Sequence, residues 1–246
     1  MEHFAVIGCP ISHSRSPEVY ADIFSARGVN ADCVRMLVLP HELSSVAELT
    51  KCFAGFAVTM PHKRAIVPYL DKIDVSADRC GAVNIVKRAG KRLIGFNTDG
   101  LGLVNALRAK GFDPAGKHAA IYGRGGAALS AAFALQDAGA DVCLLTRSLH
   151  SAPQLPFKQQ LFADYNDCVD LFINATPLGM KEAPEFDGFD FLKAFKPQYV
   201  FDMVYLSDGE TELIKAARAL GCGADDGYAM LYHQALLAAD IWLGSD

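Results

Sequence analysis

Short apolar runs bounded by glycine, proline or polar clusters alternate along this chain with longer stretches of helical spacing. The runs read as buried strands and the stretches as helices packed on them, an order that implies a mainly parallel sheet. Phe4–Gly8 is the first strand, and Pro17–Arg27 a helix with proline near its N1 position. Cys33–Leu39 follows as a strand, Glu42–Lys51 as a helix and Phe53–Thr59 as a third strand. Pro61 opens another helix, which Pro68 disturbs. Ala82–Val86 and Arg92–Phe96 flank Arg88-Ala89-Gly90-Lys91 and read as a hairpin.

Asp99–Lys110 is a helix that leaves this first unit, and Gly111–Gly116 is a loop. A second unit then resumes the alternation with strand 118–122, helix 126–138, strand 141–146, a short strand near 160–163, strands 170–175 and 199–204, and helix 210–220. Gly221–Gly227 is glycine-rich and reads as a hinge, and Tyr228–Leu243 as a helix returning to the first unit. The expected fold is therefore α/β in two domains. Residues 1–100 plus 228–246 form an N-terminal, mainly parallel α/β domain, and residues 101–227 a Rossmann-type dinucleotide-binding domain. Strand alternation with a central switch point puts a ligand cleft between them.

The second domain is signalled by Gly123-Arg124-Gly125-Gly126-Ala127-Ala128, set between a strand and an alanine-rich helix. The spacing fits Gly-x-Gly-x-x-Gly/Ala. Gly123 permits the tight turn, Gly125 lets a pyrophosphate approach the backbone, and Ala128 allows close helix–strand packing. The N–H groups and the positive dipole end of the helix would hold the pyrophosphate.

Composition narrows the partners. With 51% hydrophobic and 21% charged residues the chain has the make-up of a folded soluble protein. No apolar stretch approaches the roughly 20 residues of a membrane span. Met1–Phe4 has no basic n-region, so a signal peptide is not expected. A net charge of −5 without a basic run argues against nucleic acid and for a small-molecule partner. The seven cysteines, at 9, 33, 52, 80, 143, 168 and 222, form no Cys-x-x-Cys pair and suggest reduced thiols in a cytoplasmic compartment. No His/Cys cluster supports a metal site.

Three polar clusters stand at strand ends of the first unit, where an open α/β sheet places its ligands. Ser14 and Ser16 can both donate to a carboxylate, although Ser16 also stands where an N-cap belongs. Lys63 sits one step inside a helix N-terminus, where the dipole disfavours a cation, so it has a function or is simply solvated. Asn97-Thr98-Asp99-Gly100 begins a helix. Asp99 or Thr98 is an ordinary N-cap, or Asp99 is a carboxylate partner that orients Lys63 for proton transfer.

Together these residues resemble the shikimate dehydrogenase family nearly end to end. The likeness rests on Gly8-Cys9-Pro10-Ile11-Ser12-His13-Ser14-Arg15-Ser16-Pro17, Val58-Thr59-Met60-Pro61-His62-Lys63, Gly81-Ala82-Val83-Asn84 and Asn97-Thr98-Asp99-Gly100. It continues through the Gly123 loop, Asn174-Ala175-Thr176-Pro177-Leu178-Gly179-Met180, Asp202-Met203-Val204-Tyr205 and Met230-Leu231-Tyr232-His233-Gln234-Ala235. The resemblance implies reversible, metal-free, NADP-dependent reduction of 3-dehydroshikimate to shikimate, a step of chorismate and aromatic amino acid biosynthesis, in a cytoplasmic monomer or homodimer. It makes the first domain the substrate domain, with Lys63 and Asp99 as the catalytic pair. Ser14 and Ser16 would hold the substrate carboxylate, and Thr59, Asn84, Asp99, Tyr205 and Gln234 would surround the ring hydroxyls. The cofactor would meet Gly123, Arg124, Gly125, Gly126, Ala127, Thr146, Arg147, Ser148, Asn174, Thr176, Gly227 and Met230.

The choice of nicotinamide rests on residues about 20 positions after the first glycine. There Thr146-Arg147-Ser148 offers no acid for a ribose hydroxyl, whereas Arg147 can face a 2′-phosphate and stack on adenine, which favours NADP. A solvent-exposed arginine at a strand end is the alternative. The family usually has Asn-Arg-Thr there with a further basic residue shortly after, so the weaker set in this chain leaves room for mixed NADP/NAD use. Arg124 stands where a small residue is usual, adding positive charge beside the phosphates or crowding them. Ala57 replaces the common asparagine and Ile85 the usual threonine, which leaves quinate or another cyclic polyol acid as an alternative substrate. A non-catalytic ligand sensor on the same fold is the alternative from another class; the presence of both Lys63 and Asp99 speaks against it.

Overall fold

The computed structural model describes residues 1–49, 52–150, 154–181 and 183–244. Its first elements are β1 (Glu2–Gly8), α1 (Ser16–Ala26), β2 (Ala31–Leu37), α2 (Val46–Leu49), β3 (Gly55–Val58), α3 (His62–Ala65), β4 (Lys72–Ile73), α4 (Val75–Asp78), β5 (Ile85–Ala89) and β6 (Arg92–Phe96). Then α5 (Asp99–Ala109) leads to β7 (His118–Tyr122), α6 (Gly126–Asp137), β8 (Asp141–Thr146), β9 (Lys158–Leu161) and β10 (Leu171–Asn174). The last elements are α7 (Phe191–Phe195), β11 (Tyr199–Asp202), α8 (Glu212–Ala219), β12 (Gly223–Asp226) and α9 (Gly227–Leu243). The chain divides into two units, Met1–Gly102 with Leu231–Asp246, and Leu103–Met230.

In the first unit the sheet order is β2-β1-β3-β5-β6-β4. Every neighbouring pair is parallel except those made by β5, which runs against both β3 and β6. Along β1, Phe4 and Val6 enter one core with Tyr20, Phe24 and Trp242, while Ala5 and Ile7 enter another with Leu43, Phe56 and Ile66. A strand covered on both faces needs an unbroken apolar run, which is the pattern at the start of this sequence. Trp242 ties α9 to the sheet, its Nε1 donating to Val86 O at 3.0 Å.

The second unit is wholly parallel, in the order β12-β11-β10-β7-β8-β9. Successive strands wind outward from β7 on one side, and the chain then crosses back to β10 on the other. That is the doubly wound arrangement, whose switch point lies between β7 and β10. Its core gathers Phe172, Leu192, Phe195, Val200 and Leu213.

Several local expectations shift. The helix expected over Glu42–Lys51 begins earlier as a 3-10 turn, Pro40–Ser45, and runs into α2. Pro40 suits a first helical position, and the Glu42 carboxylate accepts from Leu39 N at 2.8 Å; Thr50 and Lys51 lie outside the described residues. The hairpin turn is Gly90-Lys91, not a four-residue loop, because Ala89 pairs with Arg92 and Gly90 takes φ 61°. Ser16 is the first residue of α1 and not its cap, a position held by Arg15, whose side chain does not cap the helix. The short strand expected near 160–163 lies at Lys158–Leu161, and Phe162 turns away to stack on Tyr122 at 4.2 Å.

Most of the glycine-rich hinge expected at Gly221–Gly227 is β12, hydrogen-bonded along β11 from Tyr199↔Gly223 to Asp202↔Asp226. An edge strand is held by its backbone ladder on one side, so Gly-Ala-Asp-Asp joins the sheet without an apolar pattern. β4, α4 and α7 are too short to show a period and have no counterpart in the sequence reading.

Candidate active site

Lys63 is fixed by its neighbours before its side chain does anything. His62 is buried and its Nε2 donates to Val38 O at 2.6 Å, while Lys63 O accepts from Val83 N at 2.7 Å. With only four residues α3 exerts little dipole, so the expected penalty for a lysine there is small. The charge is instead met by an ion pair. Lys63 Nζ donates to Asp99 Oδ2 at 2.6 Å, with the two side chains 25% and 6% exposed.

Asp99 opens α5, where a carboxylate suits the helix N-terminus. Its oxygens do not cap the helix. Oδ1 accepts from Asn84 Nδ2 at 2.8 Å while Oδ2 takes Lys63. The backbone here is held by others: Asn97 Oδ1 accepts from Asp99 N at 3.0 Å, and Asn84 Oδ1 from Thr98 N at 2.8 Å. Asn84 Nδ2 also reaches Thr98 Oγ1 at 3.0 Å and Gln234 Oε1 at 3.2 Å, and Thr98 Oγ1 donates to Gln234 Oε1 at 3.2 Å. Residues at 63, 84, 98, 99 and 234 thus form one hydrogen-bonded set, oriented around an ammonium that keeps access to solvent. Such a set can stabilise a developing oxyanion and deliver a proton to it.

Ser14 and Ser16 are both buried, with Ser14 Oγ donating to Ser16 Oγ at 3.2 Å. Arg35, paired with Glu18, donates its Nε to Ser14 O at 2.7 Å and so holds this loop. Thr59 is half-buried at the end of β3, its backbone N bonded to Ile7 O at 2.9 Å. Tyr205 belongs to the second unit, its ring 6.3 Å from that of Tyr228.

The sequence names Thr98 only as a candidate N-cap and gives Asn97 no role, although both lie in the string around Asp99. Tyr20 was missed outright. One helical turn after Ser16 and fully buried, it has a phenolic oxygen with no hydrogen-bond partner. Burial first, and then the neighbouring Cys33, push its pKa well above the usual value. The only sequence signal is its place four residues after Ser16.

In the second unit the turn after β7 fits a dinucleotide. Gly123 takes φ 139°, and a Cβ there would stand 2.7 Å from Ala175 O, so no side chain is tolerated. Gly125 is the N-cap of α6 and has no side-chain cap, while space around its own Cβ position is open. Gly126 and Ala127 begin α6, Ala128 is fully buried against the sheet, and Arg124 Nη1 is buried without a partner. Amides at a helix start lack internal partners and can meet an anion.

At the end of β8, Thr146 Oγ1 donates to Ser148 O at 3.1 Å and Ser148 Oγ accepts from His150 N at 3.1 Å. Arg147 is exposed, and its charge opposes the burial that raises the Tyr122 pKa. Asn174 is fully buried, and its side chain is used internally. Nδ2 donates to Asp202 Oδ1 at 2.8 Å and to Leu178 O at 3.1 Å, while Oδ1 accepts from Thr176 N and Oγ1 at 3.0 and 2.7 Å. Its side chain therefore shapes the turn that carries Thr176. Asp202, another residue missed from the sequence, also takes Thr211 Oγ1 at 2.7 Å and Val204 N at 3.1 Å. A Cβ at Gly227 would strike the backbone of Met203, and Met230 is buried. Among the described residues no helix is long and apolar enough to cross a membrane, and no group of His, Cys, Asp or Glu could hold a metal ion.

Residues 6–86 match the family model described as the shikimate dehydrogenase substrate binding domain. The NADP(+) shikimate dehydrogenase of Moorella thermoacetica is 37% identical over 98% of this chain and 88% of its own length. Among solved structures, shikimate 5-dehydrogenase of Thermus thermophilus in complex with NADP(H) and shikimate superposes with a TM-score of 0.88. It is 31% identical and covers 100% of this chain and 94% of that one. Shikimate 5-dehydrogenase of Listeria monocytogenes, in complex with shikimate and NAD, gives a TM-score of 0.81 at 29% identity, covering 100% of this chain and 93% of that one.

Proposed function

The chain belongs to the shikimate dehydrogenase family, and on that premise we propose that it reversibly reduces 3-dehydroshikimate to shikimate with NADPH. The observation that carries the reading is the 2.6 Å contact between Lys63 Nζ and Asp99 Oδ2 inside the set completed by Asn84, Thr98 and Gln234. When bound, NADPH supplies the hydride to the ketone carbon. The Lys63 ammonium faces the ketone oxygen, stabilises the negative charge that develops there and donates its proton to it. Asp99 holds that ammonium by charge and hydrogen bond, and Asn84 in turn keeps the carboxylate from rotating. In the reverse direction neutral Lys63 accepts the hydroxyl proton.

Ser14 and Ser16 donate to the substrate carboxylate, and Thr59, Asn84, Asp99, Tyr205 and Gln234 address the ring hydroxyls. The Gly123–Ala127 turn receives the pyrophosphate, and Thr146, Arg147 and Ser148 the 2′-phosphate side. Thr176 and Met230 border the cofactor, and Asn174 and Gly227 shape the backbone that reaches it. Seven free thiols support a reducing, cytoplasmic setting.

The test is oxidation of NADPH on addition of 3-dehydroshikimate, followed in absorbance, with shikimate and NADP+ run in reverse. Turnover in both directions is expected. Dinucleotide binding without hydride transfer in either direction would defeat the assignment.

A further inference from the structure

Arg124 is the only long side chain in the Gly123–Ala128 turn, and it is chemically unsettled there. Its Nη1 is buried and has no hydrogen-bond partner, although the residue as a whole is partly exposed. Among the described residues no carboxylate pairs with it. A guanidinium cannot shed its proton to escape a poor environment, so an unmet buried N–H remains a cost in the free protein. The backbone on either side is arranged for an anion. Gly123 makes a turn at φ 139°, and Gly125 starts α6 without a side-chain cap to occupy its first amides. One positively charged fork and one helix start are thus joined by a single peptide unit.

From this we infer that Arg124 is a cofactor-affinity residue whose guanidinium takes an oxygen of the cofactor's pyrophosphate. The inference rests on the proposed use of this turn for NADP. In a doubly wound unit the pyrophosphate sits at the turn after the first strand, here β7, whereas the 2′-phosphate is read at the end of the next, here β8. Arg124 belongs to the first position and Arg147 to the second. The pyrophosphate is common to NADPH and NADH, so Arg124 strengthens both alike, and the ratio between them is left to Arg147. This gives the chain a grip on NADH that does not depend on a 2′-phosphate contact.

The experiment measures dissociation constants of NADPH and NADH, by nicotinamide fluorescence without substrate, for the full chain and for Arg124→Ala, Arg124→Gln and Arg147→Ala. Thermal unfolding of each free protein is recorded alongside. Loss of a charge-assisted phosphate contact should weaken both nucleotides about tenfold in the Arg124 variants. Arg147→Ala should weaken NADPH far more than NADH. Free Arg124→Ala should melt no lower than the parent, because the unmet N–H is gone. If it does melt lower, Arg124→Gln, which keeps most of the stem without the charge, must show the same tenfold loss. Unchanged affinities in both Arg124 variants, or a loss confined to NADPH, would overturn the inference while leaving the dehydrogenase reading intact. Equal losses for both nucleotides in Arg147→Ala would overturn the division between the two arginines. A parent chain that binds neither nucleotide would overturn both the inference and the reading beneath it.

Discussion

Lys63 carries its charge with a quarter of its side chain exposed, and Asp99 is almost enclosed. A half-open ammonium against a fixed carboxylate is a costly arrangement for stability alone, since one ion is nearly desolvated. It is well suited to handing over a proton at one defined point. Lys63→Ala should therefore lower turnover by roughly 10²-fold or more while shifting the Michaelis constant for substrate much less; near-normal steady-state turnover would remove Lys63 from the chemistry. Tyr20 poses the opposite case. Its hydroxyl is buried beside Gln234 without a hydrogen bond of good geometry, so Tyr20→Phe removes a poorly compensated polar group and keeps the ring packed on Trp242 at 4.8 Å. Denaturant unfolding should show a gain of about 1 kcal/mol. A loss of that size would mean that the phenol has a partner after all.

At the scale of elements, β10 and β11 are joined at their C-terminal ends by a buried polar knot. Asp202 accepts from Asn174, Val204 and Thr211, which are the residues that set the turns after both strands. Desolvation raises its pKa from 3.8 to about 6, against the pull of those hydrogen bonds and with some help from Asp226. The folded state therefore holds a proton near pH 5 that the unfolded chain has released. Its contribution to stability falls as pH rises from about 4 to about 6 and is level above that. Two pKa units correspond to about 3 kcal/mol. Asp202→Asn cannot titrate, so the gap in unfolding free energy between the parent and this variant should change by that order across the window. A gap that stays constant from pH 4 to pH 7 would show that folding leaves the pKa of this carboxyl unshifted.

At the scale of the molecule, two sheets arise from two kinds of connection. The first contains the reversed strand β5, set by the tight turn at Gly90-Lys91. The second contains parallel pairs alone and so exposes the switch point beside the Gly123 turn. Alternation, turn chemistry and the glycine spacing made the α/β class, most of the elements and the strand–glycine turn–helix at Gly123 legible in the sequence, because each depends on residues within a turn or two of one another. β12 escaped that reading because Gly223–Asp226 has no apolar pattern and is held by backbone bonds to β11. The ammonium and the carboxylate could be nominated from their strings. Their contact, the bonds of Asn84, Thr98 and Gln234 around it, and the stranded hydroxyl of Tyr20 could not. Those depend on sheet register and on the return of α9 to the first unit, which bring positions 63, 84, 98, 99 and 234 within about 3 Å of a partner. Local composition sets which elements form; only the packed chain decides which polar atoms meet, because a hydrogen bond requires a placement finer than any sequence period conveys.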